Sequence, residues 1–455
     1  MKRLKDGHHL ELRVFQSLLK TVGGYGFIDS GTLANLSKDQ TEGRFGSLEL
    51  YRETSDFGVV EKVNAKSSRR LRSTLQEKGR GIVFLVLLLQ MRSRALFDSS
   101  GKGPKQIKLI GNLYDTYQKM WSMLLQFLTD GTGYKNKDGS ITRFAKVLPP
   151  FGKLHQNYEI DTTSVWALCR PLIRAALASE ETGGTLPDYL KSFHPSSEEM
   201  KSSYIHMMPT KSWKFITTLL FQTFFTYSIY DIYCPEETYK VQIARIQEQI
   251  DRLKTLQKGG RDAVRIQASL RGAAAAAGGT DRQIRDATVF KQSDKDELER
   301  LKNTLDILRA DQLKQSKHCA RINEKLRSEK DKWVAKTCTN GGEMASVFFT
   351  QCIYPRTMRS PEDAIYCCRF VFTMHEMETP GFSTLQFLDK FINAVSASLF
   401  CTTEDESACL GLFLSHAWKK ISDWRYKYQT YGDEISGKVS VIGVQVNQFQ
   451  FELEF

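Results

Sequence analysis

The chain has 455 residues, of which 64 are lysine or arginine and 52 aspartate or glutamate, giving a formal net charge of +12. Its 41% apolar and 25% charged residues are globular values and argue against a disordered chain. The basic excess favours an anionic partner such as nucleic acid, or serves solubility or an acidic protein partner.

In chain order, Leu10 to Thr21 reads as a short amphipathic helix ended by Gly23-Gly24-Tyr25-Gly26. Residues 26–65 are turn-rich, with Thr32 to Leu36 a candidate short helix. Asn64 to Leu75 is a strongly basic helical face carrying Arg69, Arg70 and Arg72. It suits a phosphate backbone or an import receptor, but the plainer reading, a solvated helix face, comes first. Ile82 to Leu96 is apolar on nearly every side and predicts a core helix. Gly101-Lys-Gly-Pro-Lys is a turn without the spacing of a phosphate loop. Leu109 to Leu128 predicts a long aromatic-rich helix, 129–140 an exposed loop, and Thr162 to Glu181 a helix that Pro171 should kink or divide. A loop spans Gly183 to Pro195. Ser212 to Tyr233 predicts one dense aromatic helix ending at Cys234-Pro235.

From Glu236 the pattern becomes a heptad seam: Tyr239, Ile243, Ile246, Ile250 and Leu253. A low-complexity link at 259–280 interrupts it. The seam resumes in register with Leu298, Leu301, Leu305, Leu308, Cys319, Ile322, Leu326 and Trp333, with Gln312 and Gln315 also at seam positions. This predicts a protruding antiparallel coiled-coil hairpin, or else a solvated helix that pairs with another subunit. Beyond it, Val347, Phe348, Ile353 and Tyr354 close a helix that Pro355 should stop. Ser360-Pro361-Glu362-Asp363 has the form of a fresh N-terminus. Two more helices follow, one with Leu385, Leu388, Phe391, Ile392 and Val395, the other with Leu410, Phe413, Leu414, Ala417, Trp418 and Ile421. After Gln429, Val439, Val441, Val444, Val446 and Phe449 alternate as in a strand, unlike anything before them.

No catalytic constellation stands out, so an enzyme is not expected, nor a cofactor. Asp56-Phe57-Gly58 has no kinase catalytic loop ahead of it. His8-His9 lacks partners, and His375 near Glu376 and Glu378 suits a helix-end capping role better than a metal. The nine cysteines lack C-x-x-C spacing, which points to buried small apolar groups in a reducing compartment and away from zinc or disulfides. The longest apolar run, Ile82 to Leu89, falls short of the ~18–20 residues needed to cross a bilayer. Met1 to His9 is charged, without an apolar stretch behind it to make a signal peptide. Lys419, Lys420, Trp424, Arg425, Tyr426, Lys427 and Tyr428 interleave cations and rings, a pattern that can hold RNA or form the wet face of a helix.

The ordered run from Trp333 through Gln351-Cys-Ile-Tyr-Pro-Arg356, Asp363 to Phe370 and Thr379-Pro-Gly-Phe-Ser-Thr-Leu385 to Trp424 resembles the THO complex subunit 2 family. Leu10 to Gln16, Lys66 to Arg72 and Phe225 to Tyr233 resemble it too, in the family's order. The resemblance fades in 129–210 and is absent from the alanine-glycine link and from 431–455. It implies an all-α fold of stacked helical hairpins or α-solenoid type, with 1–235 a MIF4G-like array facing a helicase. The heptads make 236–337 the coiled-coil hairpin, the resemblance makes 338–430 a C-terminal helical domain of the family's type, and 431–455, where the resemblance ends, is expected to be a divergent tail. The implied function is a non-catalytic nuclear scaffold in mRNA packaging and export. Its implied partners are other THO subunits, a DEAD-box RNA helicase and, directly or indirectly, mRNA, with no membrane. Arg69, Arg70, Arg72, Lys419, Lys420 and Arg425 are the candidate RNA or partner contacts. The rival expectation is a stand-alone RNA-binding protein that dimerises through the coiled coil.

Overall fold

The computed structural model describes residues 10–23, 61–97, 106–130, 140–181, 185–274, 292–338 and 340–435. The expectations for Thr32 to Leu36, Asp56-Phe57-Gly58, His8-His9, the turn at Gly101 and the strand-like tail from Val439 lie outside them. The chain divides into two compact units, one of Met1–Asn35, Val59–Ile232 and Ile322–Phe455, the other of Leu36–Gly58 and Tyr233–Arg321. Both are all-α among the described residues. The sole extended pairing there is a single antiparallel bridge, Ile216 with Val334.

In the first unit, α1 (Leu10–Gly23) and α2 (Glu61–Gln76) pack on each other. Next come α3 (Arg80–Phe97) and α4 (Ile107–Asp130), the most extensively packed pair. α3 buries Phe84 to Leu89, so the near-continuous apolar run is a core helix as expected. Then follow α5 (Ser140–Val147), α6 (Phe151–Gln156) and α7 (Thr162–Glu181). Pro171 neither ends nor divides α7, which stays one helix through it. The short α8 (Asp188–Lys191) and α9 (Glu198–Tyr204) lead to Trp166, which stacks on Tyr204 at 5.3 Å and on Phe225 at 5.7 Å.

The single aromatic helix expected over Ser212 to Tyr233 is three pieces: a 3-10 turn (Thr210–Lys214), α10 (Thr218–Thr226) and α11 (Ile229–Ile232). The breaks have identifiable causes. Thr217 caps α10 by accepting from the Leu220 amide, and its own amide donates to Trp333 O at 3.0 Å. At Ser228 the amide and hydroxyl both turn to Asp231 Oδ2, which favours a turn over helix continuation.

The second unit holds α12 (Glu236–Ala274) and α13 (Gln292–Glu329), whose last turns from Ile322 belong to the first unit. α12 continues helically into the alanine-glycine link as far as Ala274. The rest of that link lies outside the described residues. Tyr239 near the start of α12 meets Asp311 and Gln315 in the second half of α13, so the two run antiparallel.

The first unit resumes with α14 (Gly341–Phe348), a π-helical turn at Phe349–Ile353 and α15 (Tyr354–Thr357). Pro355 therefore does not stop this helix. The π turn, closed by the Tyr354 amide on Phe349 O, shifts the register just where proline lacks a donor. α16 (Pro361–Glu376) starts as its sequence predicts, with Ser360 accepting from the Asp363 amide and Pro361 opening the first turn. It ends through Glu378 (φ 53°) and Gly381 (φ 75°). A Cβ at Gly381 would lie 3.1 Å from a Val334 methyl, so this turn needs glycine for both conformation and space. α17 (Thr384–Ser398), α18 (Glu404–Tyr426) and α19 (Tyr428–Glu434) complete the unit. Thr403 and Glu406 form a capping box at the start of α18.

Candidate functional site

The two groups of candidate contact residues lie on separate helices. On α2, Arg70 is exposed, whereas Arg72 turns inward. Its Nε donates to Phe127 O on α4 at 2.9 Å and its guanidinium sits 4.9 Å from the Phe127 ring. Arg72 thus fastens α2 to α4. The side chain of Arg69 lies outside the described residues.

At the end of α18 the interleaved pattern separates into two layers. Lys419, Arg425 and Tyr426 are exposed, with Arg425 5.4 Å from the Tyr426 ring. Lys420 and Trp424 instead face α19: both bond Glu434, at 3.0 Å from Lys420 Nζ and 2.6 Å from Trp424 Nε1. Partial burial works against the Glu434 anion, but these two donors outweigh it and lower its pKa. Lys427 pairs with Asp423 at 2.8 Å. The surface offered to a ligand is therefore Lys419, Arg425 and Tyr426, without the tryptophan.

His375 sits in the last turn of α16, as its sequence position suggests, and it is buried there. Its Nδ1 lies 3.0 Å from Thr384 Oγ1 at the start of α17, and its ring is 5.2 Å from Trp424. It joins three helices. Among the described residues no group of three His, Cys, Asp or Glu side chains is placed to hold a metal, and no helix is long and apolar enough to cross a membrane. Cys169, Cys319, Cys352, Cys367, Cys368 and Cys409 are buried, and burial raises the thiol pKa at Cys367 to about 12.

Sequence reasoning missed a buried charge cluster around Asp363. Arg356, fully buried, donates from Nε to Asp363 Oδ1 at 2.9 Å. Its other nitrogens reach the Phe224 carbonyl and, at 2.7 Å, that of Tyr227, while the guanidinium lies 3.8 Å from the Tyr366 ring. Arg359 pairs with Asp363 Oδ2, and Arg170 of α7 approaches Oδ1 at 3.4 Å. Burial alone would raise the Asp363 pKa, but Arg359, Arg356 and Arg170 reverse that and hold the carboxyl well below the usual carboxylate range. Arg170 is less favourably placed: burial, then the neighbouring Arg356, lowers its pKa to about 9. The cluster ties α7, α10 and the 354–363 turn together. The spacing of Arg356, Arg359 and Asp363, seven and four residues apart, was a usable signal, but Arg170 comes from far away in the chain.

The coiled-coil seam is filled from within the chain. Ile246, Ile250, Leu298, Leu301, Leu305 and Leu308 form one buried cluster with Tyr239, and Ile243 and Leu253 pack against it half-buried. Ile322 and Leu326 are buried as well, in the part of α13 that belongs to the first unit. Gln315, a polar seam residue, is buried with its amide donating to Tyr233 O at 3.1 Å and its carbonyl 2.8 Å from the Tyr239 hydroxyl.

Residues 213–452 match the Tho2 family, described as transcription factor/nuclear export subunit protein 2, over more than half of the chain. The chain belongs to the Tho2 family. The Tho2 match runs to residue 452, past Tyr428 and into the tail where the resemblance was expected to be absent. The chain is similar to THO complex subunit 2 of Arabidopsis thaliana, with 26% identity across 95% of this chain and 23% of that protein. Against the Homo sapiens protein of the same name, identity is 24% across 95% of this chain and 25% of the relative. The Saccharomyces cerevisiae protein is 32% identical over 125 residues, 26% of this chain and 7% of that protein. The chain thus spans about a quarter of the length of the first two relatives. The Tho2 span contains the hairpin, Arg356, Arg359 and Asp363, and helices α17 and α18.

Proposed function

We propose that this chain is a non-catalytic scaffold segment of a THO-type nuclear complex that couples mRNA packaging to export. In this reading it holds other THO subunits and a DEAD-box RNA helicase, with the helices before Tyr233 facing the helicase. Contact with mRNA is made through that assembly, aided by Arg70, Lys419 and Arg425. The observation that carries the reading is the Tho2 match across the hairpin and the C-terminal helices. The intramolecular seam supports it over the rival of a coiled-coil dimer. Tyr239, Ile246 and Ile250 already pack against Leu298, Leu301, Leu305 and Leu308 of the same chain, leaving that seam no need of a second copy.

The test is purification of the tagged chain from nuclear extract at moderate salt with nuclease present. Stoichiometric recovery of other THO subunits and a DEAD-box helicase is the expected result. Recovery of the chain alone, or self-association with steeply salt-dependent RNA affinity, would overturn the scaffold reading in favour of an RNA-binding dimer.

A further inference from the structure

The antiparallel bridge of Ile216 with Val334 joins two segments that are distant in the chain. The Thr217 amide donates to Trp333 O and the Ala335 amide to Phe215 O, each at 3.0 Å. Side chains extend the joint: Thr217 Oγ1 donates to Lys332 O at 2.8 Å and Thr337 Oγ1 to Lys214 O at 2.7 Å. This joint gathers four exposed lysines, Lys211, Lys214, Lys332 and Lys336. Lys211 and Lys214 are three apart in the 3-10 turn, where side chains at that spacing eclipse one another. Lys336 lies between Ala335 and Thr337, the two residues tied to Phe215 and Lys214. Lys332 stands at the other end, beside Thr217. Among the described residues none of the four lysines forms an ion pair, and Asp331, the acid within these segments, bonds none of them. The nearby Glu329 is engaged by the Thr223 hydroxyl at 3.1 Å. Other exposed lysines, by contrast, pair within one helical turn: Lys191 with Asp188, Lys201 with Glu198, Lys240 with Glu237 and Lys254 with Asp251.

We propose that this lysine cluster binds the phosphate backbone of an RNA strand without reading its bases. Like charges held together with no acid between them repel, and a polyanion relieves that repulsion. Lysine meets phosphate as a point charge, so the contact needs no fixed geometry at each site. Base stacking is not what the joint offers: the Trp213 ring packs on Phe221 at 5.6 Å and its Nε1 donates to Ile205 O at 3.4 Å. An acidic protein fits less well. Protein interfaces centre on apolar anchors, and no large apolar side chain is exposed in 210–217 or 330–337. The proposal rests on the scaffold reading for the strand being mRNA; the cluster itself is a property of the joined segments.

The experiment uses the full chain and a labelled oligouridylate of about 20 nucleotides, with anisotropy followed between about 50 and 200 mM salt. The combined variant Lys211→Gln, Lys214→Gln, Lys332→Gln and Lys336→Gln is expected to weaken binding about tenfold or more at the low-salt end. Each phosphate contact on a single strand adds about 0.7 to the slope of log affinity against log salt, so the slope should fall by about 2–3. A control variant, Lys191→Gln, Lys201→Gln, Lys240→Gln and Lys254→Gln, makes the same change in net charge at paired positions and should bind as the unaltered chain does. Because Lys211, Lys214, Lys332 and Lys336 are exposed, their substitution should leave the thermal melt unchanged or slightly raised. Equal losses in the two variants would reduce the effect to net charge and overturn the proposal. Absence of RNA binding, affinity that the first variant leaves intact, or a strong preference for one base sequence would overturn it too. So would displacement of the RNA by polyglutamate at matched charge concentration, which would make an acidic protein the partner. Recovery of THO subunits is scored with nuclease present, so the scaffold reading and this one fail separately.

Discussion

Replacing Asp363 with asparagine is the most informative single perturbation of this fold. The substitution keeps the volume and removes the anion around which Arg356, Arg359 and Arg170 are gathered. Asp363 and Arg356 are almost wholly buried, so the guanidinium groups cannot recover hydration when the anion goes. Breaking a buried pair in this way costs about 3–5 kcal/mol, a large part of the ~5–15 kcal/mol that holds a typical domain folded. Urea unfolding followed by circular dichroism should show the midpoint fall by a corresponding amount. The pH dependence follows from the lowered pKa. The stabilisation by Asp363 is fully present above the unfolded value of about 3.9 and is lost as pH falls toward the folded one. The gap between wild type and variant should therefore be flat from pH 5 to 8 and close in more acidic solution. Arg170, whose guanidinium is disfavoured by burial and by Arg356, supplies the control. Arg170→Met should rescue part of the loss in the Asp363→Asn background, giving clear non-additivity in the double-mutant cycle. A loss under about 1 kcal/mol, or strict additivity, would refute the view that this cluster joins α7 to α16.

Two further perturbations test other joints. Asp115 on α4 accepts from the Asp405 amide at 3.4 Å, and burial raises its pKa to about 6. Its contribution is most favourable below the unfolded value and is lost as pH rises through about 6. Asp115→Asn should then stabilise the protein by about 1–2 kcal/mol at pH 7.5, after allowance for solvent screening, and by nothing at pH 4. Thermal melts at the two pH values check this. In the hairpin, Tyr239→Phe removes the hydroxyl that donates to Asp311 at 2.6 Å and lies 2.8 Å from the buried Gln315 carbonyl. The expected cost is about 1–3 kcal/mol, read as faster amide exchange in α12 and α13; unchanged exchange would show that the leucine seam alone sets the hairpin.

The amino-acid sequence determined the local elements whose signals are contained within a few turns. Ser360-Pro361 with its two acids set the start of α16, the near-continuous apolar run set α3, and the heptads set α12 and α13. The all-α class follows from those periodicities, which act between residues three and four apart. It also carried the family, in the motif order from Gln351 to Leu385. Tertiary structure decided the rest. The segment 212–233 has helical composition throughout, yet it breaks at Thr217, whose amide donates to Trp333 O from far along the chain. Pro355 was a stop signal that a π turn overrode. Trp424 and Arg72 were legible as an aromatic and a cation, but their direction depended on Glu434 and the Phe127 carbonyl, supplied by other helices. The same holds for the charge at the centre of the fold. Arg170 and Asp363 are 193 residues apart, and only packing of α7 against the 354–363 turn gives the carboxylate its third cation. A sequence states which groups are charged or apolar; the neighbours that neutralise, bury or expose them come from distant parts of the chain, and that is where the candidate surfaces were decided.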